Sequence, residues 1–108
     1  MIEDPKGDKW RANMIILGAR YDLLNVDTFK YLIECGADIH ADEDYALRWS
    51  AQNGHLAIVK FLVKAGADIH ACNNYALRLS AIHGHLDIIK FLVECGADIH
   101  IINDVILN

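Results

Sequence analysis

The chain has 108 residues, 54% of them hydrophobic, and a formal net charge of −5. This length fits one domain with enough apolar side chains for a core. The acidic balance and the scattered positions of the basic residues exclude a typical nucleic-acid surface, which gathers Lys and Arg on one face. Since no apolar run reaches the roughly 18 residues of a membrane span, and the N-terminus lacks a signal-peptide core, we expect an intracellular protein, in the cytoplasm.

The first residues, 1–9, are charged and rich in turn formers, so we expect a flexible leader there. Apolar residues then recur at helical spacing at Trp10, Met14 and Leu17. This pattern predicts a first helix within residues 10–18.

A second helix is predicted over residues 26–35. Asn25 is suited to cap its N-terminus, and Asp27 places a negative charge in the positive first turn. The turn before it carries Leu24 where later turns carry glycine, so residues 10–40 are interpreted as a degenerate repeat.

The rest of the chain is organised around an internal repeat. Residues 41–70 and 71–100 match at 20 of 30 positions without a gap. Residues 31–40 end an earlier copy in the same register, and residues 101–108 begin a truncated later one. Such self-similarity is typical of repeat architectures in which each unit stacks on its neighbours.

Each full copy predicts a turn, a helix, a loop and a second helix. A short polar side chain that could cap the first helix precedes its start in every copy: Asp44, Asn74 and Asp104. Gly54 and Gly84 follow the first helix, and Gly66 follows the second, at points where a positive φ is expected. The second helix carries an apolar stripe that must pack on a neighbour: Leu56, Val59, Leu62 and Val63, with Leu86, Ile89, Leu92 and Val93 as counterparts.

The recurring motif G-H-L-x-I-V/I-K-F-L-V-x-x-G-A-D-I-H resembles the second half of an ankyrin repeat. The resemblance implies an all-α solenoid of helix-turn-helix units that binds another protein. Ankyrin repeats usually have about 33 residues, whereas this unit has 30, and the missing residues fall between Ala41 and Tyr45. We therefore expect the projecting hairpin to be shortened to a turn, as in the short repeats of giant-virus ankyrin proteins.

The candidate binding surface is deduced from the positions that differ between the two full copies. Half of the ten differences lie in residues 42–44 and 52–53 and their counterparts, which match the turn tip and first-helix end where ankyrin repeats contact partners. The predicted partner-binding residues are Asp42, Glu43, Asp44, Arg48, Gln52, Asn53, Asn74, Arg78, Ile82 and His83. The alternative is that these positions merely tolerate substitution, and that the two arginines have a structural duty.

Histidines and cysteines do not predict a metal or catalytic site. His40, His70 and His100 recur every 30 residues, and layers stacked about 10 Å apart cannot bring them to one metal ion. Cys35 and Cys95 are separated by two layers, so we expect free thiols and a reducing compartment. No nucleophile motif or phosphate-binding loop is present. The sequence therefore predicts no enzyme, cofactor or metal.

Two other hypotheses remain beside the binding module. The chain could be the substrate of a protein hydroxylase at His40, His70 and His100, a modification that the family resemblance implies, or a degenerate repeat without a partner. The truncated copy is rich in apolar residues, including Ile106, and it carries Ile102 where the earlier copies carry Asp42 and Cys72. Because solenoids need polar terminal faces, this end predicts either a homodimer or a fragment of a longer array.

Overall fold

The structure is a computed structural model that describes residues 15–16 and 25–101. These residues contain helices and turns and no strand. Ile15 and Ile16 are helical. The full helices within residues 25–101 are α1 (Val26–Glu34), α2 (Ala41–Gln52), α3 (Leu56–Lys64), α4 (Ala71–Ile82) and α5 (Leu86–Glu94). The predicted all-α class is confirmed for this part of the chain, while the predictions for residues 1–14, 17–24 and 102–108 lie outside it.

The helices form two layers. Helix α2 packs on α4 in one layer, and α3 packs on both α1 and α5 in the other. Within each repeat, α2 contacts α3 and α4 contacts α5. In the part of the chain that the structure describes, the predicted solenoid thus shows two complete helix pairs, preceded by the second helix of an earlier pair.

The core lies between these layers and is continuous along the stack. Leu47 and Leu77 of the first helices, and Leu62 and Leu92 of the second, are at most 1% exposed. Each such leucine contributes about 1.5–3 kcal/mol through its removal from water. Small side chains such as Ala46, with no exposed surface, let neighbouring helices approach closely. The repeated apolar positions are therefore the residues that hold the stack together.

The start of each first helix differs from the prediction. Asp42, Glu43 and Asp44 have φ between 54° and 57°, and the counterparts 72–74 have φ between 56° and 60°. Three consecutive left-handed residues form a tight turn, and the right-handed helix begins after them at Tyr45. Each left-handed L-residue is disfavoured by roughly 1–2 kcal/mol, with Asp and Asn the most tolerant. The predicted short turn is present, but it is left-handed.

The predicted helix-capping role of Asp44 is wrong. Its carboxylate accepts a hydrogen bond from the Asp68 backbone N–H at 2.6 Å and contacts His40 Nδ1 at 3.0 Å. Asn74, the counterpart, accepts from His70 Nδ1 at 2.8 Å. Both side chains therefore bind the histidine that precedes the turn, and Asp44 also binds the backbone of the following turn.

The other helix boundaries agree with the sequence. Asn25 caps α1, since its side-chain oxygen accepts from the Thr28 N–H at 2.9 Å. Gly54 and Gly84 have φ of 82° and 75°, and Gly66 has φ of 107°. The expected positive φ after each helix is confirmed at all three glycines.

Candidate functional site

The turn before Tyr45 presents two of its three acidic side chains to solvent. Asp42 and Glu43 are exposed, whereas Asp44 is only 4% exposed. The buried carboxylate of Asp44 is occupied by Asp68 and His40. Asp44 therefore fixes the turn from inside, and its side chain is not available to contact a partner.

The turn of the next repeat, residues 72–74, lies beside the turn formed by residues 42–44. The Cys72 thiol donates a hydrogen bond to the Glu43 carboxylate at 2.9 Å, and this bond raises the pKa of Cys72. Asn73, the counterpart of Glu43, is exposed, and Asn74 is half-buried beside His70. Asn73 was not among the predicted partner-binding residues, although it is one of the positions that differ between the two full copies.

Arg48 and Arg78 have intramolecular partners. Arg48 donates to the carbonyl oxygens of Glu43 at 3.0 Å and Asp42 at 2.9 Å, which belong to the left-handed turn. Its guanidinium lies 5.2 Å from the ring centre of Tyr45 and 5.1 Å from that of Tyr75 in the next repeat.

Arg78 repeats part of this pattern one layer further on. It donates to the Asn73 carbonyl at 3.1 Å and lies 5.8 Å from the ring of Tyr75. Both arginines thus hold a turn and stack on tyrosine, which supports the structural alternative over direct contact with a partner.

The ends of the first helices complete the predicted surface. Asn53, Ile82 and His83 are exposed, and Gln52 is half-buried. Ile82 stands out because 57% of this apolar side chain is exposed. The His83 ring stacks against that of His85, with ring centres 6.2 Å apart. The turn tips and helix ends therefore combine carboxylates, amides, an aliphatic side chain and an imidazole.

Comparison with known proteins agrees with this architecture. The family described as ankyrin repeats, in three copies, matches residues 15–103. The chain belongs to the ankyrin-repeat family.

Its relatives include several proteins of Acanthamoeba polyphaga mimivirus. One, named as an ankyrin repeat protein, is 44% identical over 63 residues, covering 55% of this chain and 20% of the relative. A second ankyrin repeat protein is 44% identical over 59 residues, covering 55% and 28%. An uncharacterised protein of the virus is 56% identical over 48 residues, covering 44% and 35%. The matched part of this chain thus spans about a fifth to a third of these relatives.

The loop histidine of the ankyrin repeat has a structural position here. His85 Nε2 donates to the Gln52 carbonyl of the preceding repeat at 2.9 Å. Its ring lies over Gly54, where an added Cβ would come within 2.8 Å of the imidazole. His85 therefore joins two successive repeats.

The histidines that recur every 30 residues lie at the end of each repeat opposite to His85. His40, His70 and His100 are exposed, and each backbone N–H donates to the aspartate two residues earlier at 2.8–2.9 Å. The hydrogen bond to Asp44 raises the pKa of His40. Burial acts in the opposite direction, and the charges of Asp44, Asp38 and Asp68 add smaller upward effects. This histidine is thus coupled to the buried carboxylate of the turn.

Residues 15–16 and 25–101 contain no group of three His, Cys, Asp or Glu side chains arranged to hold a metal ion. The three cysteines are free thiols. No helix within this part of the chain is long and apolar enough to cross a membrane.

A groove of about 400 Å³ between α3 and α5 is open to solvent, and it is lined by Leu56, Lys60, Lys64, Asp87, Lys90, Phe91 and Glu94.

Proposed function

We propose that this ankyrin domain binds a partner protein through its turn tips and first-helix ends, without enzymatic activity or a cofactor. We name this region the turn-tip surface. It comprises Asp42, Glu43, Gln52, Asn53, Asn73, Ile82 and His83.

The observation that supports this surface is the contrast between repeated and unrepeated positions. Leu47, Leu62 and their counterparts recur because they form the core. The unrepeated positions 42–43 and 52–53 and their counterparts are largely exposed. Side chains that the stack does not require are the ones that can be fitted to a partner, as in other solenoids whose repeats form an extended binding surface.

The chemistry of the turn-tip surface indicates the kind of partner. Asp42 and Glu43 make one part acidic, while the side chain of Ile82 offers apolar area beside His83. A partner with basic and apolar side chains would be complementary. Arg48 and Arg78 would support this binding indirectly, because they hold the turns that carry the exposed residues.

The direct test is affinity capture from extracts of mimivirus-infected amoebae. A tagged parent chain is compared with a variant that exchanges tip residues for those of the other repeat: Glu43→Asn, Ile82→Gln and His83→Asn. The counterpart positions already carry these residues in the same fold, so the variant should remain folded. Lys30→Ala, on the exposed face of α1, is the matched control. We expect a protein retained by the parent and the control to be lost from the variant, and identical captured sets would contradict the proposal.

A second candidate is modification by a protein hydroxylase. His40, His70 and His100 are exposed at the same position of successive turns, so an enzyme could reach all three. Mass spectrometry of protein from its native cell would show an added oxygen on these histidines. Unmodified peptides throughout would exclude this function.

A further inference from the structure

The turn formed by residues 42–44 is held from within by one buried carboxylate. Asp44 is 4% exposed, and its two oxygens lie 3.0 and 3.1 Å from Nδ1 of His40. One of these oxygens also accepts the backbone N–H of Asp68, which belongs to the turn before α4. Asp44 thus joins the residue that precedes its own turn to the backbone of the next turn.

This carboxylate acts on a strained segment. All three residues of the turn have positive φ, and backbone in this region persists only when the surrounding contacts hold it there. Arg48 holds the carbonyls of Asp42 and Glu43, while the third residue, Asp44, is held through its side chain. A weaker hold on Asp44 would therefore loosen the turn that carries the two exposed acidic side chains.

One of the groups that hold Asp44 changes its charge near neutral pH. Histidine is the side chain that ordinarily titrates there, and the side chain of His40 is 55% exposed, so solvent protons reach it. When His40 is protonated, it donates a charge-assisted hydrogen bond, which is roughly twice as strong as one between neutral groups. When His40 is neutral, Nδ1–H can still donate, but the buried carboxylate has lost its counter-charge.

The surroundings of His40 favour its protonated form. The hydrogen bond to Asp44 raises the pKa of His40, and although burial acts against this effect, the carboxylates of three segments add to the rise. They are Asp38 in the turn before His40, Asp44 at the start of α2 and Asp68 in the turn before α4. His40 therefore keeps its charge to a higher pH than an ordinary histidine.

The next repeat offers similar geometry without the charge. His70 Nδ1 lies 2.8 Å from the side-chain oxygen of Asn74, the counterpart of Asp44. Because an amide carries no charge, protonation of His70 gains no ion pair with this residue. The turn of residues 72–74 is therefore an internal control for the turn of residues 42–44.

We propose that protonation of His40 regulates the turn-tip surface. With His40 protonated, its ion pair with Asp44 holds residues 42–44 in the left-handed turn. As the pH rises and His40 loses its proton, the turn loosens and presents Asp42 and Glu43 less rigidly.

The consequence for binding rests on the proposed function of the turn-tip surface. A surface that must first be ordered binds its partner less tightly. We expect the affinity for a partner to fall about fivefold as His40 loses its proton. This is the lower end of the usual coupling between two sites, because solvent screens an exposed histidine.

The test is NMR of the free, full chain between about pH 5.5 and 8.5, a range that spans the titration of histidine. Relaxation dispersion of ¹⁵N reports exchange between backbone states on the microsecond-to-millisecond timescale. We expect this exchange to increase at the amides of residues 42–44 as the pH rises, with the same midpoint as the signals of the His40 ring. The amides of residues 72–74 should show no change with that midpoint.

Two substitutions separate the charge from the hydrogen bond. Asp44→Asn copies the residue that the counterpart turn carries, and His40→Asn keeps a side-chain N–H donor that does not titrate. Both should abolish the pH response of residues 42–44. His70→Asn is the matched control and should leave that response intact. Circular dichroism checks that each variant is folded.

The proposal is overturned if backbone exchange at residues 42–44 does not follow the titration of His40, or if Asp44→Asn leaves the response unchanged. The binding consequence is measured separately, by affinity capture with the parent at about pH 6 and 8. Equal retention of the captured protein at both pH values overturns the regulation and leaves the proposed function intact. If nothing is captured, the proposed function fails, while NMR of the free chain still decides whether the turn responds to pH.

Discussion

Replacing Arg48 by alanine should destabilise the protein through the turn that carries the acidic tips. The guanidinium donates to two backbone carbonyls at 2.9 and 3.0 Å, and each such bond contributes a net of about 0.5–1.5 kcal/mol. It also stacks on Tyr45 and Tyr75, and an exposed contact of this type contributes about 0.5–1 kcal/mol. Because these contributions are coupled and Arg48 is partly exposed, we expect the free energy of unfolding to fall by about 2 kcal/mol in total.

Urea and thermal unfolding measure this loss. For a domain of this size we expect the midpoint to fall by roughly 10 °C. Arg78→Ala should have a smaller effect, because Arg78 has one such carbonyl bond and one tyrosine. Arg48→Lys keeps the charge but loses the planar fork, so it should recover only part of the stability. Lys30→Ala, an exposed substitution, should stay within about 0.5 kcal/mol of the parent. If Arg48→Ala unfolds like the parent, these contacts are not structural and Arg48 returns to the candidates for partner contact.

Two further predictions concern the glycines Gly54 and Gly84 and the pKa of His40. Gly54→Ala should lower the stability of the protein more than Gly84→Ala. Both substitutions strain a positive φ, but only at Gly54 would the added Cβ lie 2.8 Å from the His85 ring. Equal unfolding midpoints for the two variants would contradict this packing. The pKa of His40 should lie above its ordinary value of about 6.5, because Asp44 accepts its hydrogen bond. The His40–Asp44 pair should therefore stabilise the fold fully below about pH 6.5, and this stabilisation should be lost as the pH rises through the raised pKa of folded His40. NMR titration measures that pKa, and Asp44→Asn should remove the shift.

The repeat period could be predicted from the sequence because it is imposed by stacking. Leu47 and Leu77 occupy the same place in successive layers, so identity at a spacing of 30 residues indicates equivalent packing. The glycine positions were equally predictable, since a positive φ after a helix strongly favours glycine. Family resemblance then supplied the order of turn and helices.

The left-handed turn could not be predicted in the same way. The residues of its two copies share no identity, and their conformation depends on contacts made later in the chain. Arg48 binds the turn from five and six residues away, and Asp44 reaches the Asp68 backbone 24 residues later. A pattern of exposed and variable positions cannot reveal such contacts, which is why Asp44 was assigned to the binding surface.

We propose that the turn tips and first-helix ends, and not the second helices α3 and α5, contact a partner. Hydrogen exchange of the chain with and without its captured partner tests this directly. We expect slowed exchange at the tips around Asp42 and Asn73 and near His83, with unchanged exchange in α3 and α5. Protection concentrated around Lys60 of α3 and Lys90 of α5, with unchanged exchange at the tips, would contradict the proposed binding surface.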